Sequence, residues 1–259
     1  MNRIKAWKTD LERPFFSKFF WIAVVLFPVS DLLTVWASDG IVQDVVNLVL
    51  YAENDGFVFL SYVLFAIPYA YSYCQDLQNH FVRYHAIRTG AKSYVKWKLV
   101  GCALSSGGAA MLGKTISFCI LASQYPMFTI RNGQTQYGQI IDGLIMERKT
   151  GIVFGMILLF IFLKGLFFGC FAWMVSTWIP NMFFVYTVPM VFDRILSNVF
   201  SLFPNVYAFL SPSAVYNLQL NGHATAQSAL LYAVSFTLVW LIIFYRISYS
   251  NMKRRLENG

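Results

Sequence analysis

Six stretches of this chain are apolar over a length that reaches across a bilayer, and nothing else in the sequence constrains the fold as strongly. They fall at about residues 19–37, 56–73, 99–122, 151–178, 182–203 and 229–247. A helical span needs about 20 mostly apolar residues, and each stretch meets that length within a few residues. None alternates as a membrane strand of about ten residues would. The expectation is an all-α polytopic membrane protein with six transmembrane helices, built as a single transmembrane domain over residues 1–259. Composition agrees: 58% of the residues are hydrophobic and 12% are charged, where a soluble domain carries about 25% charged. That excludes disorder, which needs low hydrophobicity, and argues against an ordinary soluble enzyme.

Orientation follows from the Lys and Arg residues, 20 in all. Five precede the first span (Arg3, Lys5, Lys8, Arg13, Lys18). Five more separate spans two and three (Arg83, Arg88, Lys92, Lys96, Lys98), and four end the chain (Arg246, Lys253, Arg254, Arg255). The opposite side holds Arg131, Arg148 and Lys149, and the remaining three lie within spans. The positive-inside rule then puts both termini in the cytoplasm. The first outer loop carries Asp39, Asp44, Glu53 and Asp55 and no basic residue. The net charge of +8 is thus read as a topology signal and an attraction to anionic lipid, with no nucleic-acid partner required.

Asp10, Glu12 and Asp31 spoil the pattern of a cleaved signal peptide. Cys74, Cys102, Cys119 and Cys170 sit in or beside spans, so no disulfide framework is implied. Residues 1–18 mix charge with Trp7, Leu11, Phe15 and Phe16, which suits an amphipathic segment in the inner headgroup layer or a solvated tail. The 74–98 loop suggests a helix over about 73–88. Ser72 and Gln75 resemble a capping box, and Gly90 can close the helix. Such a helix would align Asp76, His80 and Arg83 on one face and Phe81, Tyr84 and Arg88 on another. It would lie on the membrane or insert into a protein partner. On the outer side, 125–150 reads as an exposed loop and 204–228 as a re-entrant or interfacial hairpin.

Residues 108–115 match G-x-x-x-x-G-K-[ST] formally. A phosphate loop needs a strand that delivers it into water, and this match lies within an apolar span. The small residues of 101–110 are better suited to close helix packing in lipid. Gly151 with Gly155, and Gly165 with Gly169, have the same four-residue spacing, for packing within one subunit or between two.

Five ionisable residues fall inside spans: Asp31, Lys114, Lys164, Asp193 and Arg194. A central charge costs roughly 2.5–3.5 kcal/mol on insertion scales, so each needs a partner or water. Residue counting puts Asp31, Lys164 and Asp193 near mid-depth, making Lys164 with Asp193 or Asp31 the expected ion pair. Lys114 lies nearer the outer face and is expected to snorkel. A place along a transport path is the other reading for all five. Catalytic patterns are thin. Asp76 and His80 stand at i and i+4 with His85 nearby, but no zinc spacing and no G-x-S-x-G elbow exist.

The layout resembles the permease subunits of ABC type-2 exporters, in their small bacterial six-span form. The local likeness lies in Tyr73-Cys-Gln-Asp76, then Arg83-Tyr-His-Ala-Ile-Arg-Thr-Gly90, then Tyr94-Val-Lys96-Trp-Lys98 leading into a glycine-rich third span. Trp178-Ile-Pro-Asn181 followed by Val188-Pro-Met190 is similar to that family's tight turn and proline-bearing span five. The resemblance implies that the helix after span two is a coupling helix for a separate ATPase subunit. Asp76, His80, Phe81, Arg83, Tyr84 and Arg88 would make that contact. It also implies pairing with a second permease subunit, and places Asp31, Asp193 and Arg194 near the translocation path. ATP and Mg would sit on the partner, this chain binding no cofactor and having no enzymatic site of its own. The implied setting is a bacterial cytoplasmic membrane, and the implied substrate is amphipathic, such as a peptide. A membrane immunity or binding protein without transport, and an intramembrane enzyme, are the alternatives.

Overall fold

The computed structural model describes residues 11–37, 44–54, 58–82, 84, 90–129, 137–203, 209–219, 223 and 225–258, and every regular element among them is helical. Five helices are long and apolar enough to cross a membrane. They are α1 (Lys18–Ala37), α5 (Ala91–Ala122), α7 (Thr150–Trp178), α8 (Met182–Ser201) and α10 (Ala226–Asn258). Between them lie α2 (Val45–Asn54), α3 (Val58–Ala66), α4 (Ser72–Gln78), α6 (Gln139–Met146) and α9 (Pro212–Val215).

The second expected span is not a straight helix. The segments Val45–Glu53 and Val58–Ala66 meet at 73°. At about 1.5 Å per residue neither crosses a bilayer alone. Pro68 accounts for the end of α3: it lacks an N–H and biases Ile67 away from helical geometry, and α3 stops at Ala66. Residues 45–54, expected within an acidic outer loop, instead form α2, with Val45, Val46, Leu48 and Val49 fully buried. Asp44 caps this helix, accepting from the Asn47 backbone N–H at 2.9 Å and from Thr129 Oγ1 at 2.6 Å.

The central helix is α7, which packs against α3, α4, α5, α6, α8 and α10. Its sequence is apolar on every side, as a helix surrounded by others requires. Glycine sets the closest of these approaches. A Cβ on Gly165 would stand 2.9 Å from the Ser106 carbonyl oxygen, and one on Gly107 would stand 2.8 Å from that of Phe162. The Gly165/Gly169 pair therefore serves packing within this chain, while Gly151 and Gly155 face open space.

Several basic segments gather at one end of the bundle. Arg13 lies 3.9 Å from Asp76, and Lys98 lies 2.7 Å from it. Lys92 stands 5.8 Å over the Tyr249 ring, and Arg255 Nη2 donates to the Trp178 carbonyl at 2.7 Å. The turn there is tight because Asn181 accepts from the Phe183 N–H at 2.9 Å and so starts α8 at once. Helix α10 continues to Asn258, well past the expected end at 247.

Two segments expected on the outer side are more structured than the sequence suggests. The 125–150 loop contains α6, with Tyr137, Ile140 and Ile141 buried. In the 204–228 segment, Ser211, Ala214, Val215 and Leu218 are buried, and Tyr216 Oη lies 2.7 Å from Thr237 Oγ1 on α10. Of the short apolar run 206–210 in that segment, residues 206–208 lie outside the described residues.

Candidate functional site

The charges within the helices form a chain. Lys114 of α5 meets Asp31 of α1 at 2.7 Å and Glu53 of α2 at 2.6 Å. The other Glu53 oxygen accepts from Lys164 of α7 at 2.5 Å, and the Glu53 backbone carbonyl lies 3.4 Å from the same amine. All four side chains are buried. Two acids alternate with two bases, so the chain is neutral. That is how such groups are held away from water, because an isolated ion there costs several kcal/mol.

This geometry corrects two expectations. Lys114 does not snorkel, being fully buried between two carboxylates. Lys164 pairs with neither Asp193 nor Asp31, and its partner is Glu53. Glu53 was hidden because it sits among acids in a segment that reads as an outer loop. The apolar run from Val45 to Ala52 that carries it inward is too short to register as a span. Glu53 is also misplaced for its own helix, since a carboxylate near a helix C-terminus opposes the helix dipole. The two lysines offset that.

Asp193 of α8 stands apart from the chain but beside it. It accepts from Tyr62 Oη at 2.5 Å, and Lys164 Nζ lies 5.9 Å from the Tyr62 ring centroid. A Ser213 backbone hydrogen bond also reaches Asp193. Tyr62 was not anticipated, for nothing in sequence links residues 131 positions apart. Arg194, the next residue, is exposed, as is Asn198 one turn on.

The segment after α3 differs from the expected 73–88 helix. Helix α4 ends at Gln78, and His80 adopts φ 59°, a left-handed conformation that breaks the helix. The capping box does not form. Tyr71 is the N-cap without a side-chain bond, and the buried Ser72 hydroxyl has no partner among the described residues. Gly90, at φ 83°, opens α5 instead of closing the preceding helix.

Asp76 is buried, bonded to Lys98 at 2.7 Å and Tyr94 Oη at 2.8 Å, so its carboxylate is turned into the fold. His80, Phe81 and Tyr84 are exposed. Arg83 and Arg88 lie outside the described residues. Lys98, counted with the basic loop, is instead a buried residue of α5.

Among the described residues no three of His, Cys, Asp and Glu gather to hold an ion. The phosphate-loop match at 108–115 is continuous helix, with Lys114 committed to its ion pairs and Gly113 packed against Phe27. All four cysteines are free.

Fold and site together define a multi-pass membrane protein with a neutral chain of buried charges at its centre. No protein-family model, no curated protein and no solved structure matches the chain.

Proposed function

We propose that this chain is the permease subunit of an ATP-driven exporter of the ABC type-2 kind. It has six membrane crossings, the bent pair α2–α3 counting as one, and both termini in the cytoplasm. It pairs with a second permease subunit, identical or similar, and borrows ATP hydrolysis, with its Mg, from separate ATPase subunits. It moves an amphipathic substrate, such as a peptide, outward across a bacterial cytoplasmic membrane.

The observation that carries this reading is the exposed face of α8. Arg194 and Asn198 are exposed well inside a helix of membrane-spanning length, next to Val191 and Ile195. Lipid is a poor solvent for a guanidinium, which costs roughly 2.5–3.5 kcal/mol at a helix centre. A partner subunit or a watered path relieves that cost. The gathering of Arg13, Lys98 and Arg255 at one end supports a cytoplasmic face there. Phe81 and Tyr84, exposed beyond the end of α4, supply an aromatic surface for an ATPase groove.

Isolation in mild detergent tests the proposal. An ATPase subunit is expected to co-purify with the chain, and Phe81→Ala with Tyr84→Ala is expected to release it without unfolding the spans. Repeated isolation with no ATPase, from membranes that also contain such subunits, counts against transport and favours a membrane binding or immunity protein.

A further inference from the structure

A groove of about 340 Å³ opens at the basic end of the bundle, between the N-terminal segment and the turn that leads into α4. Arg13 and Lys18 supply positive charge to its wall, Phe16 and Phe19 supply apolar surface, and Tyr71 and Ser72 close it from the α4 side. Its size falls within the range of about 300–1,000 Å³ typical of ligand sites.

Charge in this groove is unbalanced. The nearest carboxylate, Asp76, is held at 2.7 Å by Lys98 and at 2.8 Å by Tyr94, both on one oxygen. Arg13 stands off from the other oxygen at 3.9 Å, with its side chain 58% exposed. The wall thus carries two cations, Arg13 and Lys18, and no carboxylate, while the nearest acid is already engaged by Lys98. The Ser72 hydroxyl adds a second, independent sign. The residue is 6% exposed, it lines the groove, and its oxygen has no partner among the described residues. A buried hydroxyl left unsatisfied costs about 1–3 kcal/mol, and a ligand acceptor relieves that.

From these residues we infer that the groove binds the phosphate group of an anionic phospholipid. Arg13 presents a planar fork of donors suited to phosphate oxygens, Lys18 adds a point charge, and the buried Ser72 hydroxyl is an uncommitted donor in a residue of the groove wall. The same phosphate chemistry exists in water, but the surroundings favour a lipid. Phe16 and Phe19 line the groove and are exposed by 84% and 41%, where acyl chains would run. Aromatic residues beside basic ones are the usual composition of a membrane interface. The inference does not depend on transport, and it stands or falls separately from the proposed function.

Native mass spectrometry of the full chain released from detergent tests it. The chain is expected to retain phosphatidylglycerol in preference to phosphatidylcholine. Arg13→Gln with Ser72→Ala should weaken retention about tenfold, the ratio that corresponds to losing about 1.4 kcal/mol. Arg13→Lys should restore part of it. Ser72→Ala alone removes one oxygen, so it tests the site even where Arg13→Gln impairs folding. Glycerol phosphate added as competitor separates the sources: no displacement assigns the site to lipid, and displacement at equal concentration assigns it to a free phosphate. Unchanged retention in the variants overturns the inference. So does an equal loss on neutralising Lys253 and Arg254, which lie far along the chain at the end of α10 and would report only general charge.

Discussion

Glu53, at the end of α2, and Lys164 of the central helix meet at 2.5 Å, and Lys114 closes on the other Glu53 oxygen at 2.6 Å. One carboxylate therefore joins α2, α5 and α7. Removing one partner from a buried ion pair costs about 3–5 kcal/mol, because the other charge is stranded. Glu53→Gln strands Lys164 and leaves Lys114 with Asp31 alone, and it is expected to lower stability by about that amount in thermal unfolding followed by tryptophan fluorescence. Glu53→Gln with Lys164→Met should recover part of the loss. A double variant no better than the single one would show that the two residues do not act as a pair.

Asp76 and Lys98 form the equivalent lock at the basic end, with Tyr94 donating to the same oxygen. Asp76→Asn should destabilise by about 3–5 kcal/mol, since Lys98 is fully buried. Tyr94→Phe removes only one charge-assisted bond, worth about 1.5–3 kcal/mol. Denaturant titrations of the two variants should keep that order.

Gly165 packs directly on the α5 backbone, where a side chain would lie 2.9 Å from the Ser106 carbonyl oxygen. Gly165→Leu forces α5 and α7 apart and should cost at least about 1–3 kcal/mol. Gly155→Leu faces open space and should leave the fold intact. Expression level and monodispersity on size exclusion compare the two directly, and equal behaviour would contradict the packing described.

Cys74, in α4 outside the long helices, is buried, and burial pushes its thiol above the ordinary cysteine range. In the folded chain it stays protonated at pH values where a free thiol ionises. Its contribution to stability is complete below the unfolded-state pKa and is lost as pH rises through the folded one. At pH 8, alkylation by a water-soluble maleimide should be slow in the native chain and fast after denaturation. A Cys74-only variant read by mass shift checks this, and fast native labelling would contradict the burial.

What could be read without tertiary structure was governed by local rules. Span length and basic asymmetry identify a helical membrane protein, and the α7–α8 turn is marked by Pro180 and Asn181. The charges within spans are also visible there, as is their need for partners. Their pairing is not. Lys114, expected to snorkel, is instead held in the interior by Asp31 and Glu53, which lie 83 and 61 residues away in the chain. The burial of Val45, Val46 and Val49 on α2 is likewise decided by packing, because that apolar run is too short to register as a span.

Sequence alone determined that this chain leaves water, because that choice rests on apolar content per segment, a sum over neighbours. Tertiary structure alone decided which acid meets which base. Buried charges in a low-dielectric interior bind whatever countercharge the packing brings within about 3 Å, and separation along the chain has no bearing on that distance.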